Sequence, residues 1–195
     1  MKRFFPLVVM TFLALLLTNT ADAQDFDFPQ VDKSPMDMSY YPDRAAFRNF
    51  AKTEAEKQAN EPVIRAIYSR PSKKGRAIFG ELEKFGTTWR VGANETTELK
   101  FFKDVTIGGT KVPAGTYTLF AVLGEKEWKV VLNTDLYGWG AYVYDESKDV
   151  ASITVPTETV KEPIEVFSII FEKVDDGVHM IMGWDDTVVR VPIQL

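Results

Sequence analysis

Basic side chains, glycines and aromatics interleave over Tyr68–Glu95 (YSRPSKKGRAIFGELEKFGTTWRVGANE), and most of the chain's potential for chemistry lies there. Arg70, Lys74, Arg76 and Arg90 supply positive charge, and planar guanidinium groups suit bidentate contact with a carboxylate or phosphate. Asn94 offers both a donor and an acceptor, Glu95 a carboxylate, and Trp89 an apolar face. A small polar or anionic molecule is what such a set would hold. The same residues could equally be the turns and ion pairs of a β domain, and Lys73-Lys74-Gly75-Arg76 reads as a solvated hairpin tip before it reads as a ligand site. A second run, Tyr137-Gly138-Trp139-Gly140-Ala141-Tyr142-Val143-Tyr144, sets aromatics between glycines. Trp139 and Tyr142 can form a stacking platform for a sugar ring, or fill a core. With Ala141–Tyr144 as a strand, Tyr142 and Tyr144 share one face and Trp139 with Ala141 takes the other.

The inventory restricts catalysis. Cysteine is absent and His179 is the single histidine, so any Ser-His-acid scheme must use it, and no G-x-S-x-G turn exists. In GVHMIMGW, His179 alternates with apolar neighbours and reads as structural or surface-facing. A zinc site lacks its usual ligands. The acidic turns Asp145–Asp149, Asp175-Asp176 and Asp185-Asp186 do not have EF-hand spacing and read as solvated turns, so no metal is expected. Gly75 and Gly80 fit neither a P-loop nor a dinucleotide fingerprint, and no cofactor is expected. Glu95 is the one acid whose surroundings nominate it for acid–base work; its plain role is an ion pair with Arg70, Arg76 or Arg90. The net charge of −5 disfavours nucleic acid as a partner.

The elements that must position these residues follow from the pattern. Lys2 and Arg3, the apolar run Leu7–Leu17 and Ala21-Asp22-Ala23 form a secretory leader over residues 1–23, too short for a membrane span. Residues 24–62 are expected to be an extended arm and then a surface helix over Arg44–Ala59, capped by Asp43 and stopped by Pro62. From residue 63 to 195 the apolar period becomes two. Strands are predicted at Val63–Arg70, Arg76–Phe79, Thr88–Ala93, Thr97–Phe102, Thr116–Leu123, Trp128–Asn133, Ala141–Tyr144, Ala151–Val155, Ile164–Lys173, Val178–Trp184 and Val188–Ile193. Many short strands without intervening helices predict a mainly β fold, a single antiparallel β-sandwich or flattened barrel with one N-terminal surface helix.

Tyr68–Gly80, WRVGANE (Trp89–Glu95), PAGTYTLF (Pro113–Phe120), EWKVVLN (Glu127–Asn133) and WGAYVYDESKDV (Trp139–Val150) together resemble the bacterial family known as domain of unknown function 2911. SPMDMSYYP (Ser34–Pro42) is similar to its N-terminal segment. The resemblance implies a protein exported by a Gram-negative bacterium, in the periplasm or outside the cell. It places Arg70, Gly75, Arg76, Trp89, Arg90, Asn94, Glu95, Trp139 and Tyr142 at signature positions. It implies no activity, cofactor or ligand.

The expectation is therefore an exported, non-catalytic β-sandwich that binds a small polar or anionic ligand, such as a glycan fragment, or an envelope protein. The alternatives are a carboxylate-dependent glycan hydrolase using Glu95 as acid or base, and a purely structural envelope protein.

Overall fold

Alternating apolar and polar residues make a half-buried strand, and from Ile64 this pattern builds most of the chain. A computed structural model describes residues 26–195; the expected leader lies outside the described residues. Ten strands form one antiparallel sheet that does not close. They are β1 (Met36–Tyr41), β2 (Ile64–Ser69), β3 (Thr88–Trp89), β4 (Thr97–Phe101) and β5 (Val105–Ile107). Then come β6 (Thr110–Val112), β7 (Gly115–Leu123), β8 (Glu127–Asn133), β9 (Asp149–Val174) and β10 (Gly177–Gln194). The order across the sheet is β1-β2-β4-β7-β8-β9-β10-β5-β6, with β3 paired to β7.

The sheet doubles over because β9 changes partner along its length. Its first part, to Pro156, pairs with β8, and from Thr157 it pairs with β10. The two predicted strands Ala151–Val155 and Ile164–Lys173 are thus one 26-residue strand, and Val178–Trp184 and Val188–Ile193 are likewise both parts of β10. The gap between the two predicted strands, which runs from Pro156 to Pro163, corresponds to real irregularities. Proline cannot donate to a ladder, and Pro156 sits where the partner switches. Pro163 lies where Thr159 opposes Thr187 but Ile164 already opposes Asp185, so β9 carries extra residues as a bulge.

Both halves of the folded sheet face one core. Trp89 from β3 and Trp128 from β8 meet Phe167 from β9 and Trp184 from β10. Trp89 and Trp184 stack with ring centroids 6.2 Å apart, and the Phe79 ring lies 4.8 Å from that of Trp128. A smaller cluster lies on the other face of β7 and β8. Phe120 and Val131 point away from the tryptophans and are buried beneath the loop after β8.

Four local expectations differ from the fold. The arm contributes β1, which pairs with β2 from Met36↔Ser69 to Tyr41↔Ile64. The predicted helix over Arg44–Ala59 is two short pieces, a 3-10 turn at Ala45–Phe50 and α1 (Glu54–Ala59). Asp43 caps neither. Ala51 is extended, and the Thr53 hydroxyl accepts from Glu56 N–H while Glu56 accepts from Lys52 N–H, a reciprocal cap that starts a new helix. Arg76–Phe79 is not a strand but part of a loop. Ala141–Tyr144 is a turn as well, so no strand alternation assigns faces there.

Among the described residues no helix is long and apolar enough to cross a membrane.

Candidate functional site

The basic residues of Tyr68–Glu95 do not gather. Arg70, at the end of β2, bridges three elements: it pairs with Asp37 of β1 at 2.8 Å and donates to the Phe167 carbonyl and the Ser168 hydroxyl of β9. Arg76 donates to the carbonyls of Lys73 and Ser72, closing its own loop. Lys74 has φ +51° and fixes its backbone N–H on Glu165. The loop's deeper anchor is Lys73, whose ammonium pairs at 2.7 Å with Asp185 on the β10 bulge. The other Asp185 oxygen accepts from Ile78 N–H at 3.1 Å. Asp185 is therefore no solvated turn residue, and Lys73 is not part of a free tip.

Trp89 and Arg90 separate as strand alternation requires. Trp89 enters the core and donates its indole N–H to the Gly92 carbonyl at 3.1 Å. Arg90 lies near Glu83, and its Nε is buried with no partner. Burial pushes the Glu83 carboxyl above its ordinary value, and the Arg90 charge pulls it back in part. The strand expected to reach Ala93 ends at Trp89 because Val91 takes φ +58° and Gly92 φ +149°. A branched residue in the left-handed region turns the chain out of the ladder.

That turn carries Asn94 and Glu95 to the aromatic run. Gly140 N–H donates to the Asn94 carbonyl at 2.9 Å, Thr96 N–H donates to the Gly138 carbonyl at 2.9 Å, and Glu95 bridges to Trp139. The Asn94 side chain donates to Asp32 at 2.9 Å. Glu95 is exposed and makes no ion pair with Arg70, Arg76 or Arg90. Of the sequence-nominated residues, the fold thus brings together Asn94, Glu95, Trp139 and Tyr142.

The loop that carries Trp139 is fastened from below. Asn133, at the end of β8 and fully buried, donates to the Asp145 carbonyl at 2.9 Å and to Asp149 Oδ1 at 2.8 Å. Its side-chain Oδ1 accepts from Asp135 N–H at 2.8 Å. Tyr144 packs edge-on against Phe120 and donates to Asp149 Oδ2. Burial foremost, and then this bond to a carboxylate, push its phenol well above the ordinary range. Above this base the aromatics face outward. Tyr137 is 81% exposed, Trp139 60% and Tyr142 85%, against 2% or less for the other three tryptophans. The Tyr142 ring lies over Gly140, where a β-carbon would collide with it.

The base of the loop encloses a small cavity lined by Thr96, Phe120, Asn133, Gly138, Val143 and Tyr144 among others, and none of the three exposed rings lines it. Neither Glu95 nor Glu83 lines it. Sequence reasoning missed Thr96, Asn133, Tyr144 and Asp149. The one available signal was Asn133-Thr134-Asp135, polar turn formers directly after an apolar strand. His179 is half-buried on β10 opposite Glu172, outside this cluster. Among the described residues no group of three or more His, Cys, Asp or Glu side chains is placed to hold a metal ion.

The chain belongs to the family described as protein of unknown function, DUF2911, whose model matches residues 51–193. The match takes in the Trp89–Glu95 turn and the whole aromatic loop. No curated protein and no solved structure matches the chain.

Proposed function

We propose that this protein is a non-catalytic binding module that recognises a glycan fragment on the loop Asp135–Asp145. The observation that carries the reading is the exposure of Tyr137, Trp139 and Tyr142 on a loop pinned at both ends and from beneath. Exposed large aromatics on a mobile tip would collapse or lose binding energy to ordering. Held by Asn133 and by the backbone bonds to Asn94 and Thr96, they stay available for stacking on the apolar face of a sugar ring. The neighbouring Asn94 and Glu95 supply hydrogen-bonding groups at the edge. Arg70 and Arg76 are committed to carbonyls, Asp37 and Ser168, which weighs against a strongly anionic ligand. The leader-like residues 1–23 support export and so an envelope or extracellular glycan as the source.

Tryptophan fluorescence tests the proposal directly. Of the four tryptophans only Trp139 is exposed, so quenching by acrylamide reads mainly that residue. A bound oligosaccharide should protect it, and Trp139→Ala should weaken binding by about tenfold or more. Oligosaccharide binding that leaves Trp139 quenching unchanged would overturn the reading.

A further inference from the structure

The outer face of β2 and β4 carries two cations side by side. Arg65 stands directly opposite Lys100 in the β2–β4 ladder, with Tyr40 of β1 next to Arg65 and Thr116 of β7 next to Lys100. Opposed residues share a face, and the adjacent Ile64, Ala66, Leu99 and Phe101 enter the core, so this row of four points away from it. Phe102 N–H donates to the Val63 carbonyl, so alternation makes Arg65 and Lys100 a hydrogen-bonded pair with Cα atoms about 5.5 Å apart. Like charges so placed destabilise a sheet.

No described residue relieves the repulsion. None of the three Arg65 nitrogens meets an acceptor among the described residues; Nε is buried, and the two terminal nitrogens are open to solvent. The Lys100 ammonium lies 4.9 Å from the centre of the Phe102 ring and meets no described carboxylate. Glu98, diagonal to Arg65 on the same face, forms an ion pair with neither cation. Elsewhere the outward cations find acids, as Lys129 does in Glu146 and Arg190 in Glu158 and Glu172.

We infer that this row is a binding site for one oxyanion, a carboxylate, sulfate or phosphate group. The two terminal nitrogens of Arg65 suit two oxygens of such a group, the Lys100 ammonium adds charge, and the hydroxyls of Tyr40 and Thr116 flank the pair. Glu98 nearby leaves a net charge that suits a single anionic group. The protein as a whole carries −5, so anions are not drawn to its surface in general. The site goes beyond the glycan reading and does not depend on it, yet the two share a face. Thr118, two residues from Thr116 on β7, donates its hydroxyl to the Asp135 carbonyl where the aromatic loop begins. The oxyanion is therefore a free small anion or an acidic substituent on a chain that also rests on the loop.

Thermal melting against rising phosphate, with chloride holding the ionic strength constant, tests the site. The melting temperature of the wild type should rise saturably, by about 3–5 °C once phosphate exceeds its dissociation constant tenfold. Lys100→Gln and Arg65→Gln should each need at least about tenfold more phosphate for the same rise, and Lys129→Gln should respond as the wild type does. Without phosphate, Lys100→Gln should melt no lower than the wild type, because the repulsion is gone. No saturable rise in the wild type, or a rise that persists in both variants, overturns the site. So does a Lys100→Gln variant already destabilised without phosphate, since the fold would then be satisfying that charge itself. Calorimetry with neutral cello-oligosaccharides and their carboxymethyl derivatives assigns the source. Tighter binding of the carboxymethyl series, with the preference lost in Lys100→Gln and all binding lost in Trp139→Ala, places the oxyanion on the glycan. Equal binding of the two series beside an intact phosphate response makes it a free anion. Failure of every oligosaccharide to bind removes the glycan reading alone, and the phosphate response then decides this site by itself.

Discussion

The Tyr144 hydroxyl donates to Asp149 Oδ2 at 2.6 Å while Asn133 holds Oδ1 of the same carboxylate. One acid at the start of β9 thus fixes both the end of β8 and the far end of the aromatic loop. The loop's order is inherited from the sheet.

Replacing Asn133 with Ala should therefore loosen the loop and destabilise the whole protein. The substitution leaves the Asp135 N–H, the Asp145 carbonyl and Asp149 Oδ1 short of a partner in a buried site. The expected loss is about 2–3 kcal/mol in urea unfolding. Amide exchange should rise across residues 134–148 and remain slow in β7. A stable variant with an unchanged exchange pattern would show that the loop is held by other means.

Tyr144 should make stability fall at high pH. Its folded-state pKa lies above the ordinary value of 10.0, so above that pH the unfolded chain releases the proton first. The contribution is complete below pH 10 and declines as pH rises toward the folded pKa. Tyr117 is shifted upward as well, by burial, so the comparison must isolate Tyr144. The gap in unfolding free energy between wild type and Tyr144→Phe should shrink steadily above pH 10. A gap that stays constant to the alkaline limit contradicts this origin of the shift.

The sheet was largely legible in the sequence, and the site was so only in part. Period-two alternation located β2 and β4, which have one buried face, and β7 and β8, whose core-facing residues alternate although part of the other face is buried as well. It split β9 in two, because the middle of that strand is largely exposed and its two ends serve different partners. It also misassigned Arg76–Phe79 and Ala141–Tyr144, loops whose apolar residues are placed by tertiary contacts. Ile78 is buried because Asp185, more than a hundred residues away in sequence, accepts its N–H. Trp139 and Tyr142 were nominated from aromatics set between glycines and from the family resemblance. What the sequence could not show is that Trp139 bridges to Glu95 while Arg70 and Arg76 are drawn off into carbonyl contacts.

Asp185→Ala should be among the more damaging single changes outside the tryptophan core. Asp185 is 9% exposed and takes φ +55°, and its loss leaves the Ile78 N–H without a partner and the Lys73 ammonium without its counter-charge, held by the Arg76 carbonyl alone. Breaking one side of a buried pair costs on the order of 3 kcal/mol. The double variant Lys73→Met, Asp185→Asn should recover part of that loss, because it removes the stranded charge and keeps an acceptor for Ile78. Denaturant midpoints of the three proteins measure this. A double variant no better than Asp185→Ala would mean that backbone strain at position 185, rather than the charge pair, sets the cost.

Glu83→Gln should stabilise the protein near neutrality and do nothing in acid. Burial is the larger influence on this carboxyl and raises its pKa above 4.5, while Arg90 opposes the shift without cancelling it. Above pH 4.5 the unfolded chain ionises Glu83 more readily than the folded chain does. Stability from this group is therefore complete below that pH and is lost as pH rises through the folded pKa. Glutamine keeps the shape and never ionises. The variant and the wild type should unfold at matching urea concentrations at pH 4, with the variant ahead at pH 7. The opposite outcome, a variant weaker at pH 7 than at pH 4 relative to wild type, would mean that the attraction of Arg90 outweighs desolvation. In that case Glu83 and Arg90 form a net stabilising pair behind the Trp89–Glu95 turn, and Arg90→Met should show a matching loss at pH 7 that disappears in acid.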